Sequence, residues 1–185
     1  MAKFENMNHY HFLNTDNILV DTNIWLRLFG PESIAIPDGY DEPFFNMRDQ
    51  GTKMFINSAI ISEFINTSLR SSYHAKLKAL GFTSYEYDYK EHYRPSDDFK
   101  KRYKIVMETL HQEILPHVEL LSTSQNTLIS SIEECKQYMH RDFIDFNDEL
   151  IIHDALNNDC KILTADKDYQ HFPGNELIII TKQAI

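Results

Sequence analysis

The stretch Ile18-Leu19-Val20-Asp21-Thr22-Asn23-Ile24-Trp25-Leu26-Arg27-Leu28-Phe29-Gly30-Pro31 passes from an apolar run through one acidic loop into a helical pattern. Ile18 to Val20 reads as a short buried strand. Asn23 reads as a helix cap, and the apolar stretch Ile24 to Phe29 is stopped by Gly30-Pro31. A strand, a loop and a helix in that order form the repeating unit of an α/β protein. Asp21 then stands at the carboxyl end of its strand, where open α/β sheets collect ligands, so its carboxylate is placed to reach a site.

The same grammar continues outward. Ile34 to Tyr40 reads as loop, Asp41-Glu42-Pro43 opens a helix that ends near Gly51, and Met54 to Asn57 is a second strand. Ser58 then caps a helix with Ile60, Ile61, Phe64 and Ile65 on its buried face and Glu63 off that stripe. Lys76 to Leu80 looks helical and is closed by Gly81. Tyr85, Tyr87 and Tyr89 alternate, which fits either a helix or an extended arm. Pro95-Ser96-Asp97-Asp98 starts a helix through Ile105, Val106, Thr109, Leu110 and Ile114 to Pro116. Val118 to Leu121 is a candidate strand and Leu128 to Met139 a helix. Asn147 or Asp145 caps the helix that contains Leu150, Ile151, Ile152, Ala155 and Leu156. Lys161 to Thr164 and Leu177 to Thr181 close the chain as strands, with Gly174-Asn175 turning before the last. Strands alternating with helices predict a mostly parallel sheet with right-handed crossovers.

The 185 residues, 42% hydrophobic, suit one folded domain. No apolar stretch approaches the roughly 20 residues that span a bilayer. Met1 to Asn17 lacks the apolar centre of a signal peptide, so a cytoplasmic protein is expected. Cys135 and Cys160 stand far apart with no ligand at metal spacing, which argues against zinc and against a disulfide scaffold and predicts two buried, reduced thiols. A net charge of −10 disfavours gripping nucleic acid over a broad surface. The charge is uneven, however: Arg70 to Lys104 holds nine basic and five acidic residues, net +4, against −14 elsewhere.

Taken singly, the acids near the predicted strand ends and on the helices have ordinary readings. Asp21 fits an Asx turn or a cap, Glu63 a solvated helix residue, Asp148 a first-turn acid favoured by the helix dipole, and Asp166 a turn. Asp148, however, shares a helical stripe with Ile152 and Ala155, and an inward-facing acid needs a partner. A cluster of carboxylates is tolerable near low dielectric when a hard cation such as Mg²⁺ or Mn²⁺ offsets their repulsion.

Four phrases, Leu19-Val20-Asp21-Thr22-Asn23, Ser58-Ala59-Ile60-Ile61-Ser62-Glu63, Asp145-Phe146-Asn147-Asp148-Glu149-Leu150-Ile151 and Ile162-Leu163-Thr164-Ala165-Asp166-Lys167-Asp168-Tyr169, resemble in order the motifs of PIN domains. The likeness runs from about Ile18 to Ile180 and is closest to the VapC-type toxins of bacterial toxin–antitoxin pairs. It implies a three-layer α/β/α fold in which Asp21, Glu63, Asp148 and Asp166 converge on one or two Mg²⁺ or Mn²⁺ ions, supported by Thr22, Asn23 and Thr164. Asp145 and Asp168 flank these acids, either as supporting groups or as a cap and a turn residue. The resemblance also implies an RNA substrate, an antitoxin partner and a homodimer. This chain departs from the compact toxins in its extra length between Glu63 and Asp148, with a helical, Tyr-rich insertion at about 71–104. It departs also in Ile151-Ile152-His153-Asp154-Ala155, where small residues are usual; His153 reads as a surface or core-edge residue.

The resulting expectation is hydrolysis of RNA phosphodiester bonds at a metal-holding acid cluster. The chain has no Gly-x-Ser-x-Gly phrase and no phosphate-cradling glycine loop. A non-catalytic PIN-like module that binds RNA or protein is the competing reading, against which the full set of four acids speaks. A phosphatase or DNA nuclease would use the same acids. The basic, Tyr-rich segment offers cations for an RNA backbone and aromatic faces for unstacked bases, or else is a solvated helical arm. If it meets RNA, neutralising Lys100, Lys101 and Arg102 together should weaken binding and flatten its salt dependence. Equal affinities and slopes for variant and wild type would remove that role.

Overall fold

Six short strands, β1 (Lys3–Asn6), β2 (Asn17–Val20), β3 (Lys53–Asn57), β4 (Glu119–Leu121), β5 (Lys161–Leu163) and β6 (Ile178–Thr181), pair in parallel in the order β1-β6-β5-β2-β3-β4. The computed structural model describes residues 2–31, 39–137 and 145–182. The loop read through 34–38 and the last two residues of the helix read to Met139 lie outside them. β2, β5 and β6 are continuous apolar runs because both of their faces are covered. Ile18, Leu19, Val20, Ile162, Leu163, Ile179 and Ile180 are all fully buried.

The covering helices are α1 (Thr22–Phe29), α2 (Asp41–Gln50), α3 (Ser58–Leu80), α4 (Asp97–Thr109), α5 (Gln125–Gln137) and α6 (Phe146–Asn157). The chain steps outward from β2 to β3 to β4 and then returns to β5. With right-handed crossovers, the helices of the outward steps lie on one face and those of the return on the other. The packing agrees: α1 lies on α3, α3 on α4, and α5 on α6. The result is the three-layer α/β/α arrangement. The direction of winding reverses between β2 and β5, which makes their carboxyl ends the crevice where ligands bind in this architecture.

Most expected elements are present, and several differ in instructive ways. β1 had no counterpart in the sequence reading: its residues, Lys-Phe-Glu-Asn, are half-exposed at the sheet edge, and only pairing with β6 makes them a strand. α1 is capped by Asp21, whose side chain accepts from the Thr22 N–H, rather than by Asn23. Asn57 caps α3 through the Ile60 N–H, and Ser58 is the first helical residue. Asp145, of the two candidates, caps α6 in a capping box with Asp148. α3 runs unbroken to Leu80, through the polar interval between its two recognisable ends, and stops at Gly81 with φ of 70°. Tyr85, Tyr87 and Tyr89 do not form an extended arm. Tyr87, Tyr89 and Phe99 pack around buried Tyr73, Leu77 and Tyr93 in a second apolar cluster, and Arg70 lies 4.0 Å over the Tyr89 ring. Cys160 is buried, but Cys135 is only half-buried. No helix among the described residues is long and apolar enough to cross a membrane.

The end of the sheet away from the crevice is held by a buried polar staple. Lys161 at the start of β5 donates to Asp16 Oδ1 at 2.6 Å, and Asp16 also accepts from the Leu13 N–H and the Tyr10 hydroxyl. Burial opposes the Asp16 charge, but the Lys161 ammonium and these donors outweigh it and hold the carboxyl below its ordinary value. Asp16→Ala, which leaves Lys161 without its charge partner, should destabilise the protein by about 1–3 kcal/mol. A depressed acid contributes above its unfolded pKa and loses that contribution as pH falls through its folded value. The gap between wild type and variant in urea unfolding should therefore narrow at low pH.

Candidate active site

The reversal between β2 and β5 brings the first and last motifs together. Asp21 follows β2 directly and is 5% exposed. Its Oδ1 accepts the Thr22 N–H at 2.6 Å, and its Oδ2 accepts the Thr164 hydroxyl at 2.6 Å and the Asn23 amide. Asn23 reaches across the strand ends, donating to Thr164 Oγ1 at 2.9 Å and accepting the Ala165 N–H at 2.9 Å. Thr164 Oγ1 in turn accepts the Asp166 N–H at 2.9 Å. Thr22, Asn23 and Thr164 thus form one hydrogen-bonded clasp joining Asp21 to the loop that carries Asp166.

The other two acids arrive on helices. Glu63, less than two turns into α3, accepts the Thr22 hydroxyl at 2.9 Å and is half-buried. Asp148, in the first turn of α6, accepts the Asp145 N–H at 3.2 Å, while the Asp145 carboxylate accepts the Asn147 and Asp148 N–H groups. Asp145 is therefore a cap, and its charge acts on both Asp148 and Glu63. Asp168 closes a turn, donating its N–H to Asp166 Oδ1 at 2.9 Å.

The electrostatics tie these acids into one group. The Asp21 carboxyl is pushed up to about 7, first by burial and then by the charges of Glu63 and Asp166, against the Thr164 and Thr22 hydrogen bonds. Asp148 is pushed up to about 8, first by burial and then by the charge of Asp145; its bond from the Asp145 N–H opposes, and Asp21 and Asp166 add to the rise. Glu63 is raised by burial, eased by Thr22, and raised again by Asp145 and Asp166. An all-oxygen set of coupled carboxylates is the donor chemistry that a hard dication takes, and such an ion would relieve their repulsion. As the side chains lie, no three His, Cys, Asp or Glu groups among the described residues close around one point.

Two cavities adjoin α3. Glu63, Ser62, Asn66 and Asn147 line a groove of about 380 Å³ between α3 and α6. A larger one, about 720 Å³, lies between the end of α1, α3 and α4, with Phe29, Phe64 and Val106 in its wall and Lys76 and Arg102 among its polar groups. Of the cations singled out in the sequence, Arg102 lines this second cavity, Lys100 is exposed and paired with Asp97 at 2.9 Å, and Lys101 is exposed. The structure does not place them among the acids.

Sequence reading missed a second polar network that aims the helices. Asn57 and Asp154 are both fully buried; Asn57 Nδ2 donates to Asp154 Oδ2 at 2.8 Å, and the Thr123 hydroxyl donates to the same oxygen at 2.7 Å. Asn57 thereby caps the helix bearing Glu63 while gripping the helix bearing Asp148. The one available signal was Asp154 on the otherwise apolar run Ile151-Ile152-His153-Asp154-Ala155, an acid at a core position that needs donors.

The chain belongs to the PIN-domain family: the PIN domain family model matches residues 18–175. Its fold is similar to that of VapBC2 from Rickettsia felis bound to a DNA fragment from their promoter, at 14% identity and a TM-score of 0.54 over 88% of this chain and 96% of that one. It is similar also to a toxin–antitoxin complex from Klebsiella pneumoniae, at 17% identity and 0.52 over 91% and 99%. A DNA-bound VapBC from Salmonella typhimurium matches at 16% identity and 0.51 over 90% and 98%. At such identities the likeness is one of fold. No curated protein sequence matches the chain.

The raised carboxyls make a stability prediction. The folded protein keeps protons on Asp21 and Asp148 up to about 7 and about 8, whereas the unfolded chain releases them near the ordinary value of 3.8. Between these limits the native state binds more protons, so stability is greatest below the lower limit and is lost as pH rises through the folded values. In EDTA, thermal midpoints should fall between pH 5 and pH 8, by about 2–4 °C for each kcal/mol lost. Asp148→Asn should flatten that slope; an identical slope in the variant would show that Asp148 is not a source of it.

Proposed function

We propose that this chain is a divalent-metal-dependent ribonuclease that hydrolyses RNA phosphodiester bonds, and that it is the toxin of a toxin–antitoxin pair. The observation behind this reading is the coupling of Asp21, Glu63, Asp148 and Asp166 at the switch point of a PIN-family sheet. Mg²⁺ or Mn²⁺ held by these four carboxylates would supply activation of water and stabilisation of the charge that develops on the phosphate oxygens.

The chain's own contribution is orientation. Thr164, Thr22 and Asn23 hold Asp21 with both oxygens engaged, and Thr22 ties Glu63 to the same clasp. Asp145 caps α6 so that Asp148 starts its first turn beside the acids, and Asp168 braces the loop of Asp166. At neutral pH the raised Asp148 carboxyl retains its proton in the absence of cation, so loading the site should release protons and tighten as pH rises. The groove beside Glu63 is lined by hydroxyl and amide groups suited to ribose and base edges. The basic segment within 71–104 would meet the RNA backbone farther out.

The toxin part of the reading draws on the solved toxin–antitoxin complexes that share the fold. An antitoxin is then the protein partner, and the apolar-walled cavity between α1, α3 and α4 has the size to take side chains from it. A homodimer is the assembly we expect.

Wild type and Asp21→Asn should be assayed side by side on structured RNA, single-stranded RNA and single-stranded DNA, with Mg²⁺, Mn²⁺ or EDTA. We expect RNA cleavage that falls on the order of 10²-fold or more in the variant and is abolished by EDTA. RNA binding without cleavage would favour the non-catalytic module, and cleavage of DNA alone would reassign the substrate.

A further inference from the structure

Tyr85 is 96% exposed, the most exposed of the large hydrophobic side chains among the described residues. The turn that carries it is fixed without its ring. Glu86 Oε2 accepts the Thr83 N–H at 2.8 Å and the Thr83 hydroxyl at 2.9 Å, and the Tyr87 N–H donates to the Thr83 carbonyl at 3.1 Å. A lone exposed aromatic is ordinary surface, but a contiguous patch of them marks a binding surface. Here Phe82 lies 6.3 Å from Tyr87 with 33° between the ring planes, and Tyr87 lies 5.6 Å from His92 with 27° between them. Phe82 and His92 are exposed at the ends of this row, and Tyr87 is half-buried between them.

The row is held in place before any ligand arrives. Buried Tyr73 donates its hydroxyl to the Tyr87 carbonyl at 2.6 Å, and the Asp88 N–H donates to His92 Nδ1 at 3.0 Å. Rings ordered in advance lose little freedom on binding. The acids of this tip serve its turns, Glu86 as above and Asp88 by accepting the Lys90 and Glu91 N–H groups at 2.6 Å and 2.9 Å. Its cations are not used in this way. Lys78, in the last turn of α3, and Lys90 and Arg94, in and just after the turn Tyr89–Tyr93, are exposed and form no ion pair among the described residues. Lys100 and Lys104, by contrast, are paired with Asp97 and Glu108. Flat rings beside unpaired cations, in a segment of net +4 within a chain of net −10, suit a polyanion that carries flat groups of its own, which is single-stranded nucleic acid.

We propose that Phe82, Tyr85, Tyr87 and His92 form a stacking platform for the unpaired bases of single-stranded RNA, with Lys78, Lys90 and Arg94 meeting its phosphates. The choice of RNA rests on the reading of the chain as a ribonuclease. α3 joins the platform to the acids, with Glu63 near its start and Phe82 just past its end, so that at 1.5 Å per residue about 25 Å separate the two. The platform thus holds a strand well away from the bond to be cut. Duplex RNA keeps its bases stacked within the helix and offers none of them to a ring, so the platform selects single strands.

The test is binding of fluorescein-labelled oligouridylate to the intact protein in EDTA, read by anisotropy, with thermal midpoints alongside. Wild type is compared with Tyr85→Ala, with Tyr85→Phe and with a triple variant carrying Lys78→Gln, Lys90→Gln and Arg94→Gln. We expect Tyr85→Ala to bind about 10-fold more weakly at an unchanged salt slope and midpoint, and Tyr85→Phe, which keeps the ring, to bind as wild type does. The triple variant should lower the slope of log affinity against log salt by about 2, and an unchanged slope would overturn the part given to these cations. A duplex RNA of the same length should bind more weakly than the single strand. Equal affinity in wild type and Tyr85→Ala, or no binding of oligouridylate by wild type, would overturn the platform. Metal-dependent cleavage of RNA by wild type beside either of those results would leave the ribonuclease reading standing. A weakened Tyr85→Ala beside a wild type that cuts nothing would instead keep the platform and defeat the ribonuclease. Equal RNA affinity together with a dimeric wild type and a monomeric Tyr85→Ala in sedimentation would assign the patch to a second copy of this chain.

Discussion

Carboxylates crowded together away from water repel one another, and everything at the carboxyl end of this sheet is arranged around that fact. Asp21 is the centre of it: buried, capping α1, and the hub of a clasp that joins two strand ends. A carboxyl displaced from about 4 to about 7 represents on the order of 4 kcal/mol disfavouring its charge. That is a sizeable share of the net stability of an ordinary domain, about 5–15 kcal/mol. Beneath it β2, β5 and β6 are buried on both faces, and Thr22, Asn23 and Thr164 donate to its two oxygens.

Rigidity at the sheet is transmitted to the helices by a few buried polar contacts. Asn57 serves α3 as a cap and α6 as a donor to Asp154, so the two helices that present Glu63 and Asp148 are referenced to one point at the end of β3. The Lys161, Asp16 and Tyr10 staple does the corresponding work at the opposite end of β2 and β5. Polar groups in these positions add little net stability beyond a packed core, but they give each helix one register against the sheet, and chemistry at the acids depends on register to within a fraction of an ångström. The Tyr-rich segment is built differently, on its own cluster about Tyr73 and Tyr93, with Lys100 and Lys101 exposed and Lys76 and Arg102 at the cavity beside α4.

The parallel sheet and the place of Asp21 and Asp166 were readable because apolar runs buried on both faces and helices with one apolar stripe leave different periods in a chain, whereas the three layers were implied by the resemblance to PIN domains. β1 was not, since an edge strand with both faces partly wet has no apolar alternation to reveal it. The unbroken length of α3 was hidden for a related reason: its middle turns carry serines and an exposed arginine, and the burial of Ser68 and Tyr73 there has no local signature. The helix caps were displaced by one or two residues, Asn57 for Ser58 and Asp21 for Asn23, because Ser, Thr, Asn and Asp are near-equivalent at a cap and adjacent candidates compete.

By itself the sequence determined the period of each element, the order of strands and helices and the types of side chain at the strand ends, which sufficed for an α/β sheet with acids at its carboxyl edge. Only the tertiary structure decided which acids meet and how far their protons are held. Those properties depend on burial and on charges from elements far apart in the chain: Glu63 bonded to Thr22, Asp148 repelled by Asp21.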